Sequence, residues 1–181
     1  MRKTAVYIFI FCVQTALFAE HPAGIGLGLA AGGGPGLAYN SGTAAFSLKI
    51  PSLPFYWGLA VNFYDNRARM NVQGDYYFID KTLDSGLFIG WFCGAGFFLG
   101  LELGNSSAGF ALGARVPVGL SWQYRKINAL DSLEVFAGLT PHIGCTALPV
   151  LRFDLVFNFE IGVRIWLKPV TARAAAAEKN E

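Results

Sequence analysis

Charged side chains are scarce in this chain. Lys, Arg, Asp and Glu make up 14% of its 181 residues, roughly half the share expected of a soluble domain, which excludes a well-solvated globular surface and a disordered chain alike. The 14 basic and 12 acidic residues leave a net charge of +2. No basic run stands anywhere, so nucleic acid, which is held by clustered Lys and Arg, is not an expected partner. Histidine is confined to His21 and His142, and cysteine to Cys12, Cys93 and Cys145. Neither type falls at metal-ligand spacing, so no metal site, cofactor or disulfide framework is expected. A nucleophile motif of the G-x-S-x-G kind is missing too, as is a glycine loop that opens a helix onto a phosphate. His142, with Ser106 and Ser107, is the nearest approach to a base and a nucleophile. All three are read as solvated loop residues, so no catalytic residue is nominated and no enzyme is expected.

What the chain has instead is apolar surface, 54% of all residues. Residues 1–19 put two cations before an apolar stretch that ends at Ala19, the layout of a secretory signal peptide. The stretch is too short for a comfortable membrane span. Residues 20–167 form the body. At residues 168–181 the composition turns abruptly to Ala and charge (K-P-V-T-A-R-A-A-A-A-E-K-N-E), which reads as a tail.

The body alternates with a period of two, the signature of strands. Ala44, Phe46, Leu48 and Ile50 share one phase. Phe55, Trp57, Leu59, Val61 and Phe63 share the next. Residues 71–78 alternate more weakly. Then Leu87 to Leu101 opposes Leu, Ile, Trp and Cys to a face of Gly and Phe. Phe110 to Tyr124, Leu133 to Leu139 and Leu151 to Leu167 follow. With the glycine-rich 24–31, this predicts eight antiparallel strands joined by short connections. No charged residue falls on the apolar phase of any of these segments. Residues 86–101, charge-free with small-xxx-small spacings, also allow a membrane helix, but they form one segment only and their Phe/Gly alternation is a strand pattern.

The orientation of the two faces decides the class. Were the large apolar phase turned inward, about forty bulky side chains would have to share the inside of eight strands, which has no room for them. The outside would then consist of Gly, Ala and Phe, unlike a soluble surface. The reverse orientation fits: small and polar side chains fill a narrow lumen, lipid covers the apolar band, and closure removes the sheet edges. The expected fold is therefore all-β, an eight-stranded antiparallel up-and-down transmembrane β-barrel.

Three stretches then resemble a known family: A-R-V-P-V-G-L-S-W at 114–122, L-E-V-F-A-G-L-T-P at 133–141, and E-I-G-V-R-I-W-L at 160–167. They are similar to the eight-stranded outer-membrane barrels of the OmpA/OmpX-like type, and particularly to the small barrels of spirochaete outer membranes. The last stretch looks like the insertion signal read by the barrel assembly machinery, matched here by Glu160, Gly162, Ile165 and Leu167. The resemblance implies an outer-membrane protein with membrane lipid and that machinery as partners, monomeric, with an external ligand of unspecified chemistry.

In that fold both termini are periplasmic, and the external connections lie near residues 31–42, 65–70, 103–109 and 142–150. The lumen phase carries Asp75, Glu102, Arg115, Glu134, Arg152, Asp154, Glu160 and Arg164, three cations against five anions. Arg115, Glu134, Asp154, Glu160 and Arg164 are expected to form a charge network. Hairpin counting sets Arg115 opposite Gly96 and Glu134 near Glu160, with Arg164 the cation that neutralises the paired carboxylates. Two roles remain open: an envelope-structural or surface ligand-binding barrel, and a porin-like narrow pore for small solutes.

Overall fold

Alternation carried through the whole body produces strands only. The computed structural model describes residues 22, 24–36, 40–64, 67–84, 87–104, 108–125, 130–147 and 151–168. The signal segment at 1–19, the tail beyond Lys168, and Ser106 and Ser107 lie outside the described residues. The strands are β1 (Gly26–Pro35), β2 (Asn40–Lys49), β3 (Tyr56–Tyr64), β4 (Arg67–Asp84), β5 (Ile89–Gly104), β6 (Ala108–Arg115), β7 (Val118–Tyr124), β8 (Ser132–Ala147) and β9 (Arg152–Trp166).

Each strand pairs antiparallel with its neighbours, and β9 closes on β1, so the sheet has no free edge. β6 and β7 are two halves of one wall strand. Both lie between β5 and β8 in one continuous register, and they are separated where Pro117 has no N–H to donate. The wall holds across the gap because Gly94 N donates to Pro117 O at 2.9 Å and Val116 N donates to Pro141 O at 2.9 Å. The barrel therefore has eight wall positions.

The stagger follows from the pairings. Stepping across partners from Gly26 of β1, through Lys49, Tyr56, Asp75, Gly96, Arg115, His142 and Val156, returns to Gly36, one residue past the end of β1 and ten residues along. With about 3.3 Å per residue and about 4.8 Å between strands, that stagger tilts the strands by about 40° and sets a backbone radius of about 8 Å. Such a cylinder is narrow enough for side chains to fill.

Four expectations about strand limits are corrected, the first at residues 31–42, most of which are wall because β1 runs to Pro35 and β2 starts at Asn40. β4 begins at Arg67, so residues 67–70 belong to the wall and not to a connection. Arg67, Arg69, Asn71 and Gln73 alternate there with Ala68, Met70 and Val72, and the inward polar set had the look of a loop. β8 continues to Ala147 and takes in His142 and the G-C-T-A segment; its inward Gly144 and Thr146 are too small to advertise the alternation. Finally, β4 runs on to Asp84 with a bulge between Tyr77 and Ile79. That bulge shifts the phase by one, turning Asp80 inward and placing Lys81 outside next to Trp91. Among the described residues, Lys81 thus does occupy the outer face, at a strand end beside an aromatic ring, where a long amphipathic side chain can reach water.

Polarity runs opposite to that of a soluble protein. Outside, Phe153 is 73% exposed, Leu29 62% and Leu59 61%, in a band of Leu, Ile, Val and Phe around the wall. Inside, Arg69 is 1% exposed and Glu134 fully buried. Cys93 and Cys145 are free thiols on the outward phase of β5 and β8.

Candidate functional site

The lumen is where chemistry-bearing side chains meet, and they form three levels. The upper one lies near the β3–β4, β5–β6 and β8–β9 turns. Arg69 of β4 donates through Nη2 to Glu102 of β5 at 2.7 Å and to Asp154 of β9 at 2.5 Å. Arg152 bridges the same two carboxylates from above, with Nη2 2.6 Å from Glu102 and Nε 3.0 Å from Asp154. Arg67 reaches Glu102 at 3.3 Å, and Thr146 donates to Glu102 at 3.3 Å. The rings of Tyr64 and Phe98 face the Arg69 guanidinium at 5.2 and 5.5 Å, a cation–π arrangement that offsets part of its desolvation.

The middle level centres on Arg115. Its register partner is Gly96, and the glycine leaves room for the guanidinium to cross the lumen. Arg115 Nε lies 3.0 Å from Asp75 and Nη2 3.3 Å from Glu160, while Nη1 donates to Gln73. Beside it runs an uncharged chain of bonds. Ser41 donates to Asn158 at 2.6 Å, Asn158 to Thr43 at 3.1 Å, and Thr43 to Asn62 at 2.8 Å. His142 is inside as well, 8% exposed, edge-on to Phe98 at 5.6 Å. The expectation of a solvated loop histidine is therefore corrected. The Phe98 ring fits here because Gly144 has no side chain; a Cβ at that position would lie 2.5 Å from Phe98 Cζ.

At the lower level, Arg164 Nη1 donates to Glu134 Oε2 at 2.9 Å and Trp166 Nε1 donates to the same oxygen at 2.7 Å. The rings of Tyr56, Phe136 and Trp166 enclose the Arg164 guanidinium at 4.7, 4.8 and 5.7 Å. Tyr56, Tyr77 and Phe92 stack in series, with centroids 4.4 and 4.9 Å apart. Together these rings make an aromatic floor.

The five charges nominated from sequence occupy all three levels: Asp154 above, Arg115 and Glu160 in the middle, Glu134 and Arg164 below. One pairing differs from expectation. Glu134 faces Arg164 and Glu160 faces Gly138, so the two carboxylates do not share a level. The reason is that β8 runs on to Ala147, so Glu134 pairs four residues farther along β9 than expected. Glu134 pairs with Arg164, while Glu160 shares Arg115 with Asp75. Arg69, the most buried of these cations, lies on β4 where the sequence predicts a connection at residues 65–70. The alternation from Arg67 to Gln73 was the signal that could have found it. With Arg67 and Arg69 counted, five guanidiniums (67, 69, 115, 152, 164) stand among five carboxylates (75, 102, 134, 154, 160), and Asp80 is a further inward carboxylate among the described residues.

On β9, Glu160 and Gly162 lie on the lumen face while Ile165, and Leu167 just past the strand's end, fall on the outward phase. Leu167 N also bonds Ile25 O at 2.8 Å, at the seam where the barrel closes. Among the described residues no group of three or more His, Cys, Asp and Glu side chains is placed to hold a metal ion.

No protein-family model matches the chain, and no curated protein matches it. Solved structures similar in chain path include the following two. Neisserial surface protein A aligns with a TM-score of 0.46 and 13% identity over 79% of this chain and 96% of its own. The N-terminal β-barrel domain of Pseudomonas aeruginosa OprF aligns with a TM-score of 0.42 and 11% identity, over 77% and 96%. The strand pairings themselves decide the fold. This chain is a small, closed, eight-stranded antiparallel β-barrel.

Proposed function

We propose that the protein is an integral outer-membrane barrel, exported by a signal at residues 1–19, non-enzymatic, and structural in the envelope. The observation that supports this reading most is the inversion of polarity: a continuous apolar exterior around a buried network of ion pairs. Hydrocarbon is the solvent such an exterior needs, and a closed barrel is the one β-architecture that leaves no backbone group unpaired in it. The apolar exterior favours lipid as the surrounding partner. Glu160, Gly162, Ile165 and Leu167 on the closing strand are the segment we assign to recognition by the barrel assembly machinery. We read the barrel as a monomer, with its short external turns left for any surface ligand.

The porin-like alternative needs a continuous wet path. The ion pairs of the upper level, the Arg115 crossing and the aromatic floor stand in its way, as expected for a cylinder of this radius. A hydrolase is disfavoured by the position of His142, buried in the lumen.

Two measurements test the proposal. The mature chain refolded in detergent should migrate on a gel differently before and after boiling, and should require amphiphile to stay in solution. A monomer that is soluble in water alone would overturn it. In planar bilayers it should show no steady single-channel conductance; a stable open level would favour the pore.

A further inference from the structure

We infer that the middle of the lumen holds one bound water molecule, seated on the carboxamide of Asn71. Asn71 is 6% exposed, and among the described residues neither its Oδ1 nor its Nδ2 has a hydrogen-bonding partner. Buried polar groups are almost always paired, with protein or with ordered water. The Asn71 side chain opens on a cavity lined by Asn62, Gln73, Phe98, Arg115, His142 and Asn158, with about 10 Å³ of room for the centre of a small molecule. That is the space of a single water.

The lining also selects the chemistry of the occupant. A cation is repelled by the Arg115 guanidinium, which forms part of the wall. An anion is opposed by Asp75 and Glu160, which already hold that guanidinium. The ligand must donate to Asn71 Oδ1 and accept from Asn71 Nδ2. Most other lining groups are engaged: Gln73 Oε1 by Arg115, Asn62 Oδ1 by Thr43, and Asn158 by Ser41 and Thr43. A neutral molecule of one heavy atom that both donates and accepts satisfies these conditions, and water is that molecule.

Its position gives it a structural role. The Ser41–Asn158–Thr43–Asn62 chain spans β2, β9 and β3 and stops short of β4. A water on Asn71 that also accepts from the Asn62 carboxamide extends this belt to β4 and brings it up to His142 on β8. The Arg69–Glu102–Asp154 cluster covers the site from above and the Arg115–Asp75–Glu160 cluster from below, so the water should exchange slowly.

The test uses the full mature chain refolded in micelles. Oxygen-17 magnetic relaxation dispersion should count one fewer long-lived water in Asn71→Leu than in the wild type, with heat-modifiable migration confirming that the variant folds. A high-resolution crystal structure of the wild type should show an oxygen within about 3.2 Å of both Asn71 amide atoms. An equal count in the two proteins, or a protein side chain found on the Asn71 carboxamide, would overturn the inference. Should Asn71→Leu not fold, the wild-type structure decides alone. A chain that folds and requires detergent but lacks this water would sink the inference and leave the membrane proposal intact.

Discussion

Arg164 and Glu134 are direct register partners on β9 and β8, and their side chains meet inside the barrel at 2.9 Å with neither more than 4% exposed. A pair so deeply buried is sensitive to the loss of one member, because the other is left charged and without compensation. Glu134→Leu is expected to lower stability by about 3–5 kcal/mol, and Glu134→Leu with Arg164→Met by clearly less than the two single changes combined. Urea titration of the refolded barrel measures both. Additive single effects would show that the two side chains are not coupled.

Arg69 and Arg67 both reach Glu102, from very different surroundings. Arg69 is 1% exposed and also holds Asp154, whereas the Arg67 side chain is 35% exposed. Arg69→Ala should cost about 3–5 kcal/mol, and Arg67→Ala about 0–1 kcal/mol, since water screens an exposed pair. Equal shifts in the unfolding midpoint would contradict the burial difference.

Arg115 holds Asp75 and Glu160 together. Arg115→Ala leaves two carboxylates facing each other in the lumen, and the unfolding midpoint is expected to fall. An unchanged midpoint in the same titration would mean that water already compensates these charges.

Gly162 on β9 gives the Phe136 ring its place, since a Cβ there would lie 2.4 Å from Phe136 Cζ and 2.5 Å from Leu29 O. Gly162→Val should cost about 1–3 kcal/mol through overpacking. Because the backbone oxygen of Leu29 also crowds the site, adding Phe136→Leu should recover only part of that loss. Stability measured on the three variants checks the order: wild type, then double, then single.

Much of this was legible in the residues. Leu59, Val61 and Phe63 had to share a face because successive side chains of a strand point to opposite sides, and that face had to be the outer one because so many bulky groups cannot fit inside eight strands. The limits of β4 and β8 were not legible. Arg67 to Gln73 and His142 to Thr146 alternate between outward apolar and inward polar or small side chains, and short polar or glycine-containing segments look the same in a loop.

Period and bulk therefore determined the class of the protein and the side on which each charge would lie, since both are local properties of an extended chain. Only the tertiary structure decided which charge meets which. Arg69 and Asp154 are 85 positions apart, and their meeting depends on the ten-residue stagger of the closed wall. That stagger is a property of all eight positions together, set by where each turn falls, and no single segment contains it.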